Sequence, residues 1–174
     1  MTMSVDDAYS RGDYATAFRL ARQLADRGDA AAQYNLGVMY TKGHGVSQDY
    51  GEALKWFHLA ADQEYASAQY HLGIMYANGQ GVPQNDAEAL KWLRLAADQG
   101  HPLAQCNLGL MYADGWGVPK DIVRALMWFN LSAAQGNQEA ATNRKDVVPL
   151  MTPAQIAEAQ KLAREWKPTT QQPR

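Results

Sequence analysis

The sequence is poor in cysteine, in long apolar runs and in excess charge of either sign. Its only cysteine, Cys106, excludes an intramolecular disulfide and leaves the redox compartment open. No stretch approaches the roughly 18 consecutive apolar residues that a membrane-spanning helix needs. A formal net charge of −2, with acidic and basic residues interleaved, argues against a phosphate-binding stripe or a polybasic membrane patch. The composition therefore predicts neither nucleic-acid binding nor membrane insertion.

The N-terminus also lacks the apolar core of a signal peptide, since residues 1–14 read MTMSVDDAYSRGDY. If Met1 is the native start, this predicts a cytoplasmic protein. If a signal peptide has been removed ahead of Met1, the protein is instead periplasmic or secreted. The sequence leaves the localisation open between these two.

What the sequence does contain is one unit written three times. The copies read AQYNLGVMYTKGHGVSQDYGEALKWFHLAADQE from Ala32, AQYHLGIMYANGQGVPQNDAEALKWLRLAADQG from Ala68 and AQCNLGLMYADGWGVPKDIVRALMWFNLSAAQG from Ala104. Their spacing is constant at 36 residues, as the equivalent leucines show: Leu36, Leu72 and Leu108. A fixed period of this length predicts a solenoid of stacked supersecondary units rather than one globular core.

Each copy contains two amphipathic helical patterns separated by a glycine-rich turn. The first glycine of each turn follows a helix end, where glycine adopts the left-handed conformation without a Cβ penalty: Gly43, Gly79 and Gly115. The second helix starts at Asp49 or Asn85, and a glutamate three residues later predicts a capping box. At the end of the second helix Glu64 replaces glycine, which predicts a weaker or differently shaped turn.

The apolar residues of each pattern fall on one helix face at ~100° per residue. Leu36 and Tyr40 lie on that face in the first helix, and Ala53 and Phe57 lie on it in the second. We expect the two faces to meet, with aromatic side chains filling the space between units. The sequence therefore predicts an all-α solenoid of roughly ten helices in antiparallel pairs, without a sheet.

The array is incomplete at both ends. We predict one repeat domain over residues 1–166 and a disordered tail over residues 167–174, which are polar and interrupted by proline. Within the domain, residues 4–28 form a partial N-terminal repeat, and residues 137–166 form a partial repeat followed by a capping helix. The full repeats occupy residues 29–64, 65–100 and 101–136.

The patterns A-x-Y-x-L-G-x-M-Y, G-x-G-V and A-L-x-W-F-x-L-A-A resemble the Sel-one-like repeat (SLR) family, a relative of the tetratricopeptide repeats. The resemblance covers residues 32–136 as three full units, and the last helix looks like the terminal helix of bacterial members. It implies a right-handed superhelix of antiparallel helix pairs whose first helices line the concave face. It also implies a scaffold that recruits other proteins.

A cysteine-rich branch of that family is linked to penicillin binding and β-lactam hydrolysis, and its repeats carry cysteine pairs that this sequence lacks. The sequence also contains no G-x-S-x-G, S-x-x-K or Walker motif. Its four histidines occupy four different repeat positions, with no i, i+4 pair for a metal. We therefore predict a protein without enzymatic activity, cofactor or metal. A β-lactam-hydrolysing or penicillin-binding enzyme and a self-assembling structural module are the alternatives.

The candidate binding residues lie opposite the core-facing side of each first helix. They are Tyr34, Asn35, Val38, Tyr70, His71, Ile74, Cys106, Asn107 and Leu110. Together they give a polar row beside an apolar row, which predicts a concave groove for an extended peptide or a partner helix. The alternative is that the apolar row packs the first helices together and the polar row is solvated. We expect a monomer that binds a protein or peptide and associates end to end at most weakly.

Overall fold

The computed structural model describes residues 2–169, and this part of the chain contains ten α-helices, one short 3-10 helix and no β-strand. The all-α prediction is confirmed. The 3-10 helix, Val148–Leu150, lies between the last two α-helices. The α-helices are α1 (Val5–Ser10), α2 (Tyr14–Asp26), α3 (Ala30–Lys42), α4 (Tyr50–Asp62), α5 (Ala66–Asn78), α6 (Asp86–Asp98), α7 (Pro102–Asp114), α8 (Ile122–Ala134), α9 (Gln138–Val147) and α10 (Pro153–Glu165).

The chain divides into two compact units, one ending at Gln84 and the other beginning at Asn85. This boundary lies in the loop between α5 and α6, inside the second full repeat. The single repeat domain over residues 1–166 stays a prediction. Of the tail that begins at residue 167, the part up to Thr169 is described, and the Thr169 N–H donates to the Asp98 carbonyl oxygen at 2.8 Å. The disorder predicted for residues 170–174 lies outside the described residues.

The turns end the first helices as the glycine pattern predicts. The C-cap glycines of α3, α5 and α7 all adopt the left-handed conformation, with φ of 69°, 65° and 72°. The second glycine of the turn is needed for close approach: a Cβ on Gly81 would lie 2.7 Å from the Tyr50 carbonyl oxygen. The turn therefore packs directly against the start of the preceding second helix.

The N-caps of α4 and α6 are the predicted residues, Asp49 and Asn85, but the predicted capping box is wrong. Asp49 accepts a hydrogen bond from the backbone N–H of Glu52, at 3.0 Å. The Asp49 N–H is not bonded to the glutamate side chain, because it donates to the Tyr40 carbonyl oxygen at 3.0 Å. The Glu52 carboxylate instead forms an exposed ion pair with Lys55 at 2.9 Å.

The core follows the 36-residue period. Leu36, Leu72 and Leu108 are all fully buried, as the pattern predicts. In the first unit α3 packs on α4 so closely that a Cβ on Gly37 would lie 2.5 Å from the Phe57 ring. Small residues at the helix crossing therefore set the distance between the paired helices.

A buried glutamine near the start of each first helix makes side-chain hydrogen bonds that we call the glutamine brace, and this residue does not belong to the apolar pattern. In the second unit Gln105 donates to the Ala97 carbonyl oxygen at 3.3 Å, and its Oε1 accepts from Gln135 at 2.9 Å. Gln135 also donates to the Gly100 carbonyl oxygen at 2.9 Å. The brace thus satisfies carbonyl groups at the end of a second helix, which have no partner inside that helix.

The turn at Glu64 keeps the hydrogen bonds of its glycine counterparts. Its N–H donates to the Ala61 carbonyl oxygen at 2.9 Å, as the N–H of Gly100 does to the Ala97 carbonyl oxygen. The shape differs in φ, which is 64° at Glu64 and 95° at Gly100. Glu64 is the one described residue other than glycine with positive φ, and a side chain in this region costs about 1–2 kcal/mol.

The C-terminal helix α10 packs on α8 of the second unit. It opens with the predicted capping box, in which Thr152 and Gln155 exchange hydrogen bonds at 2.9 and 3.2 Å. Ala159 is fully buried, and the ring of Trp166 meets that of Trp128 edge-on at 6.2 Å. This is the contact that the apolar face of the helix predicts.

Candidate functional site

The nine candidate residues lie on three first helices, and we call them the first-helix face. Six of them belong to the first unit, on α3 and α5, and three to the second unit, on α7. All are half-buried except Cys106. Half-buried side chains of this kind have both a fixed position and a surface that a ligand can reach.

In the first unit this face carries an aromatic cluster, formed by Tyr34, Phe57, Tyr65, Tyr70 and His71. The ring of Tyr34 lies 5.3 Å from that of Tyr65 and 5.4 Å from that of His71. His71 stacks on Phe57 at 5.0 Å and meets Tyr70 edge-on at 5.3 Å. These separations are those of favourable aromatic pairs, so the cluster is held in place by its own contacts.

The protonation state of His71 follows from its surroundings. Its Nδ1–H donates to the Ser67 carbonyl oxygen at 2.8 Å, which leaves Nε2 as an acceptor in the neutral ring. Burial lowers the pKa of His71, and the positive charge of Lys42 lowers it further. Burial also raises the pKa of the Tyr34 hydroxyl, so that group is a neutral donor. The cluster is therefore uncharged near neutral pH, with polar groups at its edges.

Next to the cluster is a cavity of about 160 Å³, which we call the N-terminal pocket. Three first-helix-face residues line it, and helix α1 supplies another wall. The lining residues are Val5, Asp6, Tyr9, Tyr34, Asn35, Val38, Met39 and Lys42. This pocket brings together apolar walls, an amide and two charges of opposite sign.

The position of Tyr9 in that wall is fixed from behind. Its hydroxyl is hydrogen-bonded to Nδ1 of His44 at 2.8 Å, and its ring lies 5.0 Å from that of Tyr14. The His44 ring in turn stacks on Tyr14 at 4.1 Å. The wall is therefore formed before any ligand arrives.

In the second unit the inclusion of Cys106 in the binding face is wrong, because that residue is only 1% exposed. Helix α9 packs beside α7, and the Asn143 amide donates to the Cys106 sulfur at 3.6 Å. Burial raises the pKa of the Cys106 thiol to about 11, so it carries no thiolate at neutral pH. Asn107 and Leu110 are half-buried on the same helix.

Several residues around this site were not identified from the sequence: Val5, Asp6, Tyr9, Met39, Lys42, Phe57 and Tyr65. A signal was available for Tyr65, because equivalent positions hold Asp29, His101 and Asn137, whose side chains cap the following helix. Tyr65 makes no such hydrogen bond and lies against Tyr34. The residues of α1 had no such signal, since that helix has no counterpart in the repeats.

Exposed apolar side chains also lie elsewhere. Leu59 on the second helix α4 is 48% exposed, Trp116 in a glycine turn is 61% exposed and Leu150 is 76% exposed. Among the described residues, no group of three or more histidine, cysteine, aspartate or glutamate side chains could hold a metal ion. Within the same part of the chain, every helix is too short or too polar to cross a membrane.

Four segments of the chain match the Sel1 repeat model: residues 7–29, 30–65, 66–101 and 102–137. The chain therefore belongs to the Sel1 repeat family, whose members are typically protein-interaction scaffolds. No curated protein matches the sequence.

Solved structures with the same fold include two that are more than 30% identical. A Sel1 repeat protein from Oxalobacter formigenes is 40% identical with a TM-score of 0.68, over 72% of this chain and 95% of that one. A protective antigen of uropathogenic Escherichia coli with an SLR fold is 32% identical with a TM-score of 0.76. That match covers 87% of this chain but only 34% of the antigen, so the chain spans about a third of the antigen's length.

Proposed function

We propose that this protein is a non-catalytic scaffold that binds a partner protein or peptide on the first-helix face of its first unit. Family membership supports a role in protein interaction. The face offers the half-buried Tyr34 and Tyr70 with His71, and the aromatic cluster adds the half-buried Tyr65. Tyrosine is enriched among the residues that contribute most to binding energy.

The observation that carries this proposal is the junction at Glu64 and Tyr65. Both residues are unfavourable for the fold: Glu64 holds a positive φ without being glycine, and Tyr65 leaves α5 without a side-chain cap. Each costs about 1 kcal/mol relative to the residue that other repeats use. Backbone strain and the loss of a helix cap typically occur at positions where function, rather than stability, determines the residue. Here the result is one more tyrosine beside Tyr34.

The non-catalytic part of this proposal is supported by the groups available at this face. His71 has its Nδ1–H engaged by a backbone carbonyl, and Cys106 is buried with a raised pKa. Among the described residues, the hydrogen bonds of His71 and Cys106 go to a backbone carbonyl oxygen and to an amide, and neither bond forms a pair of nucleophile and base. The tyrosines, the amides and the apolar side chains are suited to binding a ligand.

A photo-crosslinking amino acid placed at Ile74, one turn along α5 from His71, tests the proposal in an extract of the producing cell. The matched control carries the same group at Leu59, which is an exposed apolar residue on α4. We expect an adduct of defined mass from Ile74 and none from Leu59. Equal adducts at both positions, or adducts only at Leu59, contradict the proposal. An adduct of twice the chain mass indicates self-association instead.

A further inference from the structure

We propose that the N-terminal pocket binds one bulky apolar side chain of a partner peptide, with a basic residue of the peptide beside Asp6 and an acidic residue beside Lys42. This inference rests on the proposed function and adds the chemistry of the partner to it.

The size and walls of the pocket favour an apolar side chain. Its volume is about 160 Å³, and a cavity of roughly 150 Å³ holds a benzene-sized group. Val5, Val38 and Met39 supply aliphatic surface, and the rings of Tyr9 and Tyr34 supply aromatic surface. A leucine, isoleucine, methionine or phenylalanine side chain fits such a space.

The Asn35 amide favours a peptide over a small apolar molecule. It lines the pocket and is half-buried, and among the described residues it makes no side-chain hydrogen bond. An amide carries both a donor and an acceptor, which is the pair that a peptide backbone presents. Asn35 therefore offers a place for the main chain on either side of the buried side chain.

The two charges at the rim give the peptide a direction. Asp6 and Lys42 both line the pocket and are both exposed, and within residues 2–169 neither belongs to an ion pair. Exposed charges add little affinity, but they select partners and fix the register of binding. A segment with opposite charges flanking its apolar residue meets both of them in one orientation only.

The wall made by Tyr9 is already in place, since His44 and Tyr14 hold it. Little ordering is therefore required when the peptide binds, which favours measurable affinity for a short segment.

Fluorescence anisotropy with two labelled nonapeptides tests this inference on the full chain. The peptides share glycine and serine flanks and differ only in their centre, which reads Lys-Leu-Glu in one and Glu-Leu-Lys in the other. We expect one of the two to bind the wild-type protein at least fivefold more tightly. The double variant D6K/K42D should reverse that preference, because it exchanges the charges at the rim.

A second pair of variants separates charge from occupancy. Val38→Trp fills the pocket and should reduce binding of both peptides at least tenfold, with an unchanged helical circular dichroism spectrum. The control E52K/K55E exchanges an exposed ion pair on α4 and should leave the preference unchanged. Absence of binding, absence of a preference, or a preference that D6K/K42D leaves unreversed overturns the inference. If that occurs while Ile74 still gives an adduct, the proposed function stands and only the pocket chemistry is wrong.

Discussion

The two units share one helical frame and differ in what that frame presents beside the first helices. In the first unit the junction between repeats is aromatic and half-exposed, with the Tyr34 and His71 rings 5.4 Å apart. In the second unit the equivalent residues are Cys106 and Asn143, which form a small, part-buried contact of 3.6 Å. The same backbone positions therefore form a half-exposed aromatic surface in one unit and a small packing contact in the other.

The difference extends to the N-cap of the helix that follows each junction, which is α5 in the first unit and α9 in the second. Asn137 accepts a hydrogen bond from the Ala140 N–H at 2.8 Å and so caps α9, whereas its counterpart Tyr65 caps nothing by its side chain. The glycine before Asn137 has φ of 92°, and its counterpart is Glu64. The second unit thus keeps the residues that the frame prefers, and the first unit departs from them at the candidate site.

The largest effect should come from the shared frame. Leu36→Ala in the first unit and Leu108→Ala in the second each remove a fully buried side chain and should cost about 2–5 kcal/mol. Lys55→Ala, whose ion pair with Glu52 is exposed, should cost less than about 0.5 kcal/mol. Urea denaturation measures all three. Similar midpoints for the leucine and lysine variants would mean that the assigned core face is wrong.

The glutamine brace should rank next and should be equal in the two units. Gln33→Leu and Gln105→Leu each remove two side-chain hydrogen bonds, one to a backbone carbonyl oxygen and one from a partner glutamine, at a cost of about 1–3 kcal/mol. Thermal denaturation of both variants checks this. A loss in one unit alone would show that the shared frame is less uniform than its hydrogen bonds suggest.

The period, the helix pairs and the buried leucines could be predicted because a repeat presents its own alignment, with three copies of each position. The brace was missed because a buried glutamine follows no apolar periodicity, although Gln33, Gln69 and Gln105 recur at the same spacing. The capping box failed because it depended on the Asp49 N–H, whose partner Tyr40 lies in another helix. Tertiary contacts of this kind leave no trace in local sequence.

The site was predictable only in part, for the same reason. Tyr34, Asn35 and Val38 line the N-terminal pocket, and helical geometry alone placed them on one face. The other wall comes from α1, which the repeats do not describe. The buried Cys106 is in contact with Asn143, whose position could have been predicted from the period by extending the asparagine row one unit further.

Restoring the preferred junction should stabilise the first unit and weaken its binding. The double variant E64G/Y65N supplies glycine at the positive φ and a capping side chain, and should raise the free energy of unfolding by about 1–2 kcal/mol. Its Ile74 photo-crosslinked adduct should fall at least threefold, because Tyr65 is lost from the aromatic cluster.

The reciprocal change in the second unit is the control. Asn137→Tyr removes the cap of α9 and should cost about 1 kcal/mol. The Ile74 adduct should be unaffected. If E64G/Y65N is no more stable than the wild type, or if it keeps full crosslinking, the link between local strain and binding is wrong.

The smallest effect concerns the charge of His71, which has an asparagine at its counterpart in the second unit. Burial lowers the pKa of His71 in the folded protein below the value of about 6.5 expected in the unfolded chain. The unfolded state therefore takes up a proton first as the pH falls, so the stabilisation from this residue is complete above about pH 6.5 and is lost below it.

Between pH 7.5 and 5.5 the wild type should lose up to about 1 kcal/mol more than His71→Asn, measured by urea denaturation at each pH. Equal pH dependence in the wild type and His71→Asn would show that the proton is taken up as readily in the aromatic cluster as in water.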